Sequence, residues 1–523
     1  MAIPVEIDQS DSSSDVLPAP RTKTCQERGI LESGAFDTKS TWPRDHSVLT
    51  SAIESFQNPT KACTLGRQTG ALGAGVRRPR VHYFNPGCEL EIAGAGPRAR
   101  RAAQQMRVEL DHLSMFICDP DDHVLVEELP SDEFLERLRD TGFTVPSFIK
   151  LAATGDAPTL DLAALESLPT VLDRAEPWGW SPPMLRLFEP LRARLSDTQG
   201  LRAWSAERTR IHSKGWAAHL LRSFLDSPLS TPWRSYLCAT DQVAKSCRDS
   251  AELGVAVDAL HRSDKRAVLK GLYGTSGRDM ARTLGGKLEA NTLRWAEKLI
   301  DRDGEILVEQ WHRSKADLSL RMNVHPNGSH TVQGIGRFLT DRRGQYRGGL
   351  LGDIGPDLQL PCTRGQMESL FFTLAEFLAA ALHHEGYAGR VGVDALVMDS
   401  RIHPMLEINP RNNMGHVVEA MSERLAPGSI GAWFLGRSLH SRSANDHARE
   451  AGPIRSGEPM WLEALQSRLP VERDPRSGRI RSGAIATSPP SRRVQSMLLV
   501  APTWHDLITV MDAAGLQHGL IES

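Results

Sequence analysis

Two runs that are β-branched and apolar for the most part, Val391 to Met398 and Ile402 to Asn409, flank the polar turn Asp399-Ser400-Arg401 and predict a β-hairpin. The second run ends in Glu407-Ile408-Asn409-Pro410-Arg411, so a carboxylate, an amide and a guanidinium fall within five residues. Period-two geometry puts Glu407 and Asn409 on one face of their strand. A two-residue loop at Ser400-Arg401 would set Asp394 of the first strand directly across from Glu407. Carboxylates so placed repel each other unless a cation lies between them. Mg2+ takes hard oxygen ligands, commonly a couple of carboxylates plus nucleotide phosphates. Asp394, Glu407 and the Asn409 side-chain oxygen meet that demand. Arg411, a permanent cation, would stand beside the phosphates. The alternative is a hairpin with solvated acids, and a one-residue slip of register would remove the pairing.

Upstream, Lys270-Gly271-Leu272-Tyr273-Gly274-Thr275-Ser276-Gly277-Arg278 sets a lysine at the root of a glycine-rich loop. Such a loop can close backbone N–H groups on phosphate oxygens, with the lysine as a point charge. It fits neither the dinucleotide fingerprint nor the P-loop pattern, and a plain glycine-rich hairpin is the alternative. Glu305-Ile306-Leu307-Val308-Glu309-Gln310-Trp311 is an apolar strand that breaks into a polar segment. Read alone, it is an ordinary core strand. Ser213-Lys214-Gly215-Trp216 opens a helix whose lysine, read alone, is solvated.

Taken in order, these segments resemble the ATP-grasp superfamily of carboxylate–amine ligases, whose last core strand ends in a Glu-x-Asn-Pro-Arg-like motif. The resemblance covers residues 206 to 425 well, and residues from about 80 to 205 only as a leading domain of the family's type. Asp394 departs from the glutamate that many members carry, and Leu272 and Tyr273 are bulky for the loop. The implied architecture is α/β (α+β): two α+β halves clamping ATP, preceded by a small α/β leading domain. Its expected divisions are a disordered extension over 1–78, a leading domain over 79–205, and a mobile half with the glycine loop over 206–305. A core half with the metal site follows over 306–425, then a C-terminal extension over 426–523.

The resemblance also implies roles. Lys214, Lys270, Gly274, Ser276 and Gly277 would hold ATP phosphates, and the backbone of Glu309, Gln310 and Trp311 would meet the adenine edge. Asp394, Glu407 and Asn409 would hold Mg2+, with Mn2+ as an alternative. Arg411 and Arg278 would stabilise the transferring phosphoryl group. ATP would phosphorylate a small-molecule carboxylate, and an amine would displace phosphate from the acyl phosphate to form an amide. A phosphotransferase and a non-catalytic nucleotide-binding scaffold remain alternatives. No Met-Lys-Met biotin-carrier tripeptide occurs, and a single Glu-x-Asn-Pro-Arg-like motif excludes a duplicated carbamoyl phosphate synthase.

Composition fits this picture. A chain of 523 residues predicts about three domains. A net charge of −2 provides no global attraction to nucleic acid or anionic membrane. The arginines at 77, 78 and 80 and at 98, 100 and 101 read as a solvated arm and helix face. Seven cysteines without a CxxC pair read as reduced thiols, and no apolar segment is long enough to span a bilayer, so a cytoplasmic, soluble protein is expected. The first 78 residues are rich in Ser, Asp, Thr and Gly and lack sustained periodicity. Strands are expected at Val81 to Phe84 and Val124 to Val126, and helices at Asp132 to Arg139, Leu284 to Ile300 and Met367 to Leu382. Strands are also expected at Ile306 to Val308 and Leu318 to Val324, a hairpin-like stretch at Thr331 to Thr340, a loop from Asp474 to Arg493 and a closing strand at Ser496 to Ala501. Trp178 and Trp180 are read as interface packing, and the vicinal His383 and His384 as no metal pair, since neighbours on a helix point apart.

Overall fold

Short apolar runs bounded by turn residues make the first sheet: Val81–Tyr83 (β1), His123–Val126 (β2), Ser147–Lys150 (β3) and Ala175–Pro177 (β4). All its pairs are parallel, in the order β3-β2-β1-β4. Parallel strands require crossovers, which helices such as Pro97–Leu110 and Asp132–Asp140 supply. One face buries Val81 and Tyr83 against Leu187 and Phe188, and the other turns Phe84 and Trp178 towards Val417 and Trp433. The computed structural model describes residues 77–513 except 95, 153–157, 199–200, 202–203, 275–278, 284, 286–287, 342–343, 356–357 and 438–460. The expected extension therefore lies outside the described residues except for Arg77 and Arg78. So do Ser276, Gly277 and Arg278.

Lys245–Cys247 (β5), Ala267–Lys270 (β6), Met280–Thr283 (β7) and Ile306–Gln310 (β8) form a second, antiparallel sheet in the order β5-β8-β6-β7. Helices Ser250–Arg262 and Ala290–Asp303 bury their apolar residues against it. The helix expected from Leu284 starts at Ala290 instead, because Met280–Thr283 is drawn into the sheet beside β6. Its end is set by Gly304, whose φ of 84° gives the left-handed C-cap.

The third sheet has nine strands, all antiparallel: Ala316–Val324 (β9), His330–Thr340 (β10), Tyr346–Leu351 (β11), Gly389–Val397 (β12), Ile402–Asn409 (β13), Ile430–Arg437 (β14), Glu472–Arg473 (β15), Ile480–Ala486 (β16) and Val494–Ala501 (β17). Their order is β13-β12-β9-β10-β11-β14-β17-β16-β15. The stretch expected as hairpin-like at Thr331 to Thr340 is one long strand, paired to β9 on one side and β11 on the other. The expected loop from Asp474 to Arg493 contains β16. Strand β14 pairs with β11, so the sheet runs on through the region expected as a separate extension from 426.

Helix Arg364–His384 lays Met367, Leu370, Phe371, Leu374, Leu378 and Leu382 in a buried stripe, as its spacing predicts. Thr363 and Gln366 form its capping box, each side chain accepting the other's backbone N–H. His383 bonds the Pro326 carbonyl at 3.1 Å. The chain is thus a mixed α/β structure in which a small parallel α/β unit precedes two antiparallel, helix-covered sheets. Among the described residues no helix is long and apolar enough to cross a membrane.

Candidate functional site

The β12–β13 hairpin places Asp394 opposite Glu407 and Gly392 opposite Asn409, the expected register. It does so by a different route. The turn closes on Met398 N–H to the Arg401 carbonyl, leaving the loop at Asp399-Ser400 instead of Ser400-Arg401. Near the turn Leu396 opposes His403, and the register then shifts between Asp394 and Leu396, with the extra residues on the β13 side around Pro404. Proline has no N–H to give to a ladder, so a bulge is the tolerant place for it. The two departures cancel at the acids.

On the other edge of β12, Asp394 faces Ser319 and Gly392 faces Arg321, so one sheet face carries Asp394, Glu407, Asn409, Ser319 and Arg321. The carboxyl of Asp394 is pushed up to about 7 by burial, and next by the charge of Glu407 beside it. A buried acid held opposite a second carboxylate is what a divalent cation relieves, and this pair fits Mg2+. Lys214, at the start of helix Lys214–Asp226, reaches across to bond Glu407 Oε1 at 2.5 Å and the Gly274 carbonyl at 2.6 Å. Three expected groups therefore meet. The Asn409 amide donates to Asp394 Oδ2 at 3.3 Å, and its oxygen accepts from Arg411 Nη2 at 2.9 Å.

Arg411 is tied down on every nitrogen. Its Nη1 donates to the Asn412 carbonyl at 3.0 Å, and its Nε pairs with Glu89 of the leading domain. Burial opposes both charges, but each partner outweighs it: Arg411 is held well above its usual range and Glu89 below its own. Lys270 pairs with Glu309, whose carboxyl likewise stays low despite burial. The Trp311 N–H donates to the Arg266 carbonyl at 2.7 Å, so that expected donor to a base is already engaged. Above the Trp311 ring lies the Arg282 guanidinium, 3.5 Å from its centroid.

Several residues at the site carry no motif. Beside the Lys270–Glu309 pair lie His312 and His403, ring centroids 6.2 Å apart, with both His403 nitrogens and His312 Nε2 buried and unbonded. Burial lowers His403 to about 4, leaving it neutral. Arg321 crosses β10 above Gly334 and Gly336, where an added methyl would meet its guanidinium at 2.9 and 2.4 Å, and pairs with Glu419 at 2.6 Å. Nothing local in the sequence distinguishes these from core polar residues.

The Asp394 shift has a measurable consequence in metal-free protein. Between about 4 and about 7 the unfolded chain has lost this proton while the folded chain keeps it, so raising pH through that window favours unfolding. With chelator present, the contribution of Asp394 to the melting temperature should fall from pH 5 to pH 8 and be lost in Asp394→Asn. Added Mg2+ should raise the melting temperature more at pH 8 than at pH 6.

No protein-family model matches the chain, and no curated protein matches it. Among solved structures it is similar to an N5-carboxyaminoimidazole ribonucleotide synthetase in complex with ADP, at 11% identity, covering 85% of this chain and 98% of that one, with a TM-score of 0.45. It is also similar to the Staphylococcus aureus N5-carboxyaminoimidazole synthetase complexed with ADP (13% identity, 84% and 98% covered, TM-score 0.42). A Campylobacter jejuni biotin carboxylase in a beta-gamma-ATP complex gives 11% identity, 84% and 91% covered, and a TM-score of 0.44.

Proposed function

We propose that the protein is an ATP-grasp-type enzyme that binds Mg-ATP between its second and third sheets and joins a carboxylate to an amine through an acyl phosphate. The observation that carries this reading is the opposed pair Asp394 and Glu407 with Lys214 on Glu407. Bound there, Mg2+ would neutralise phosphate oxygens and so reduce repulsion of an incoming carboxylate. The chain's own groups supply the rest. Lys214 and Lys270 add point charges, and Asn409 keeps Asp394 and Arg411 in fixed relation. His403 through both ring nitrogens and His312 through its Nε2, with burial lowering both rings so that they stay neutral, offer donors and acceptors to a heterocyclic base beside Glu309. The glycine-rich sequence that follows Lys270, part of which lies outside the described residues, would exclude water from the reactive intermediate.

The test begins with thermal unfolding in saturating Mg-ATP, which needs no knowledge of the substrate. Binding at about 100-fold over the dissociation constant adds about 2.7 kcal/mol and should raise the melting temperature by several degrees. Carboxylates are then screened for ADP release in the presence of hydroxylamine. A hydroxamate supports the acyl phosphate, whereas ADP with a stable phosphorylated product makes the protein a phosphotransferase. No shift with Mg-ATP removes the nucleotide site.

A further inference from the structure

Among the described residues, two buried clusters outside the acid pair each bring three metal-ligating side chains together: His82, Cys118 and Asp122, and Cys88, Glu89 and His212. Their hydrogen bonding separates them. In the first cluster His82 Nε2 already meets Asp122 at 3.1 Å, the Cys118 thiol donates to the Ser114 carbonyl at 2.9 Å, and Asp122 accepts the N–H groups of Arg80 and Asp119. Those ligand atoms are committed to a turn, which leaves His82 Nδ1 as the one unbonded nitrogen of that set. In the second cluster Glu89 Oε2 and His212 Nδ1 are buried with no hydrogen-bond partner, an arrangement that native interiors rarely leave uncompensated.

We propose that Cys88, Glu89 and His212 form a site for a borderline-soft divalent metal ion such as Zn2+, separate from the Mg2+ pair. Cys88, Glu89 and His212 are 0%, 3% and 8% exposed, and their ligand atoms lie within 4.8 Å of one another. A tetrahedral ion with bonds of about 2.0–2.3 Å spans ligand atoms up to about 3.8 Å apart, so small side-chain rotations close the set. Sulfur, imidazole and carboxylate together favour zinc over magnesium, which takes oxygen. On binding, the Cys88 thiol releases its proton to solvent. Thiolate and carboxylate then carry the two negative charges that a divalent ion requires. The other Glu89 oxygen stays on Arg411, an outer-sphere partner that fixes the ligand's orientation.

The surroundings suit a staple. Cys88 and Glu89 open helix Cys88–Ile92 of the leading domain, and His212 ends the 3-10 turn Ala206–His212 just before Ser213 and Lys214. Gly179 closes over the sulfur so tightly that a methyl group there would sit 2.5 Å from Sγ. An ion here would tie the leading domain to the segment that presents Lys214. The site does not depend on the ligase reading.

The test uses the full chain, stripped with chelator, loaded with Zn2+ in excess Mg2+, desalted and analysed for metal. Wild type is expected to keep about one zinc per chain, falling to background in Cys88→Ser and His212→Ala. Co2+ loading should give a thiolate charge-transfer absorption that persists in Glu407→Gln and Cys118→Ala and vanishes in Cys88→Ser. The oxygen-only acid pair cannot produce that band. If the buried variants do not fold, wild type compared with Cys118→Ala still decides. Folded wild type with no retained zinc and no sulfur band, or a band lost only in Cys118→Ala, overturns the proposal.

Discussion

Glu407→Gln is expected to abolish the magnesium-dependent thermal shift with ATP and to lower any ATP turnover by about 1,000-fold or more, about 4 kcal/mol of barrier. The substitution keeps shape and removes one charge. Glutamine would leave Asp394 facing an amide, and the paired negative charge that suits a divalent cation would be gone. Lys214 would lose its ion partner at 2.5 Å while keeping the Gly274 carbonyl. Without metal the sign reverses. Glu407 is one of the causes that raise Asp394, so the variant should relieve that repulsion and melt no lower, and at pH 8 higher, than wild type in chelator. Opposite signs with and without Mg2+ separate a metal ligand from a residue needed merely for folding. An undiminished Mg-ATP shift in Glu407→Gln would remove the metal assignment.

Much of this site was legible because its acids lie on one hairpin, where local alternation fixes which side chains share a face. Even so, the Asp394–Glu407 pairing came out right through two cancelling departures, a turn one residue earlier and a bulge at Pro404. Local pattern specified faces better than connections. The helix at 290–303 shows the limit: Leu284 and Leu288 extend its apolar spacing, yet the cross-strand partners of Met280–Thr283 on β6 end that continuity. The junction of β14 with β11 is set by pairing between distant segments, which no window of sequence displays. The same holds for Glu89 and Arg411, 322 positions apart, and for His403, whose neighbours come from another sheet. Motif residues were visible from the sequence, but the charges that hold them in place were not.

Arg411→Met should be the most damaging of these substitutions for the fold. Arg411 is 10% exposed and Glu89 3%, so the pair lies out of water, and Glu89 already has one oxygen without a partner. Methionine fills much of the space but leaves the carboxylate buried without a counter-charge, for which the cost is about 3–5 kcal/mol. Removing both charges is different, because a buried pair exchanged for apolar groups costs little. Glu89→Leu/Arg411→Met should therefore recover most of the stability lost in the single variant. Function should not recover with it. Asn409 would lose the guanidinium that holds its oxygen at 2.9 Å, freeing the amide that now touches Asp394. Urea unfolding of the two single variants and the double variant, read beside Mg-ATP binding, tests both parts. Additive losses would mean that the two charges do not stabilise each other. Recovered stability with full Mg-ATP binding would make Arg411 a strut between domains with no part in the site.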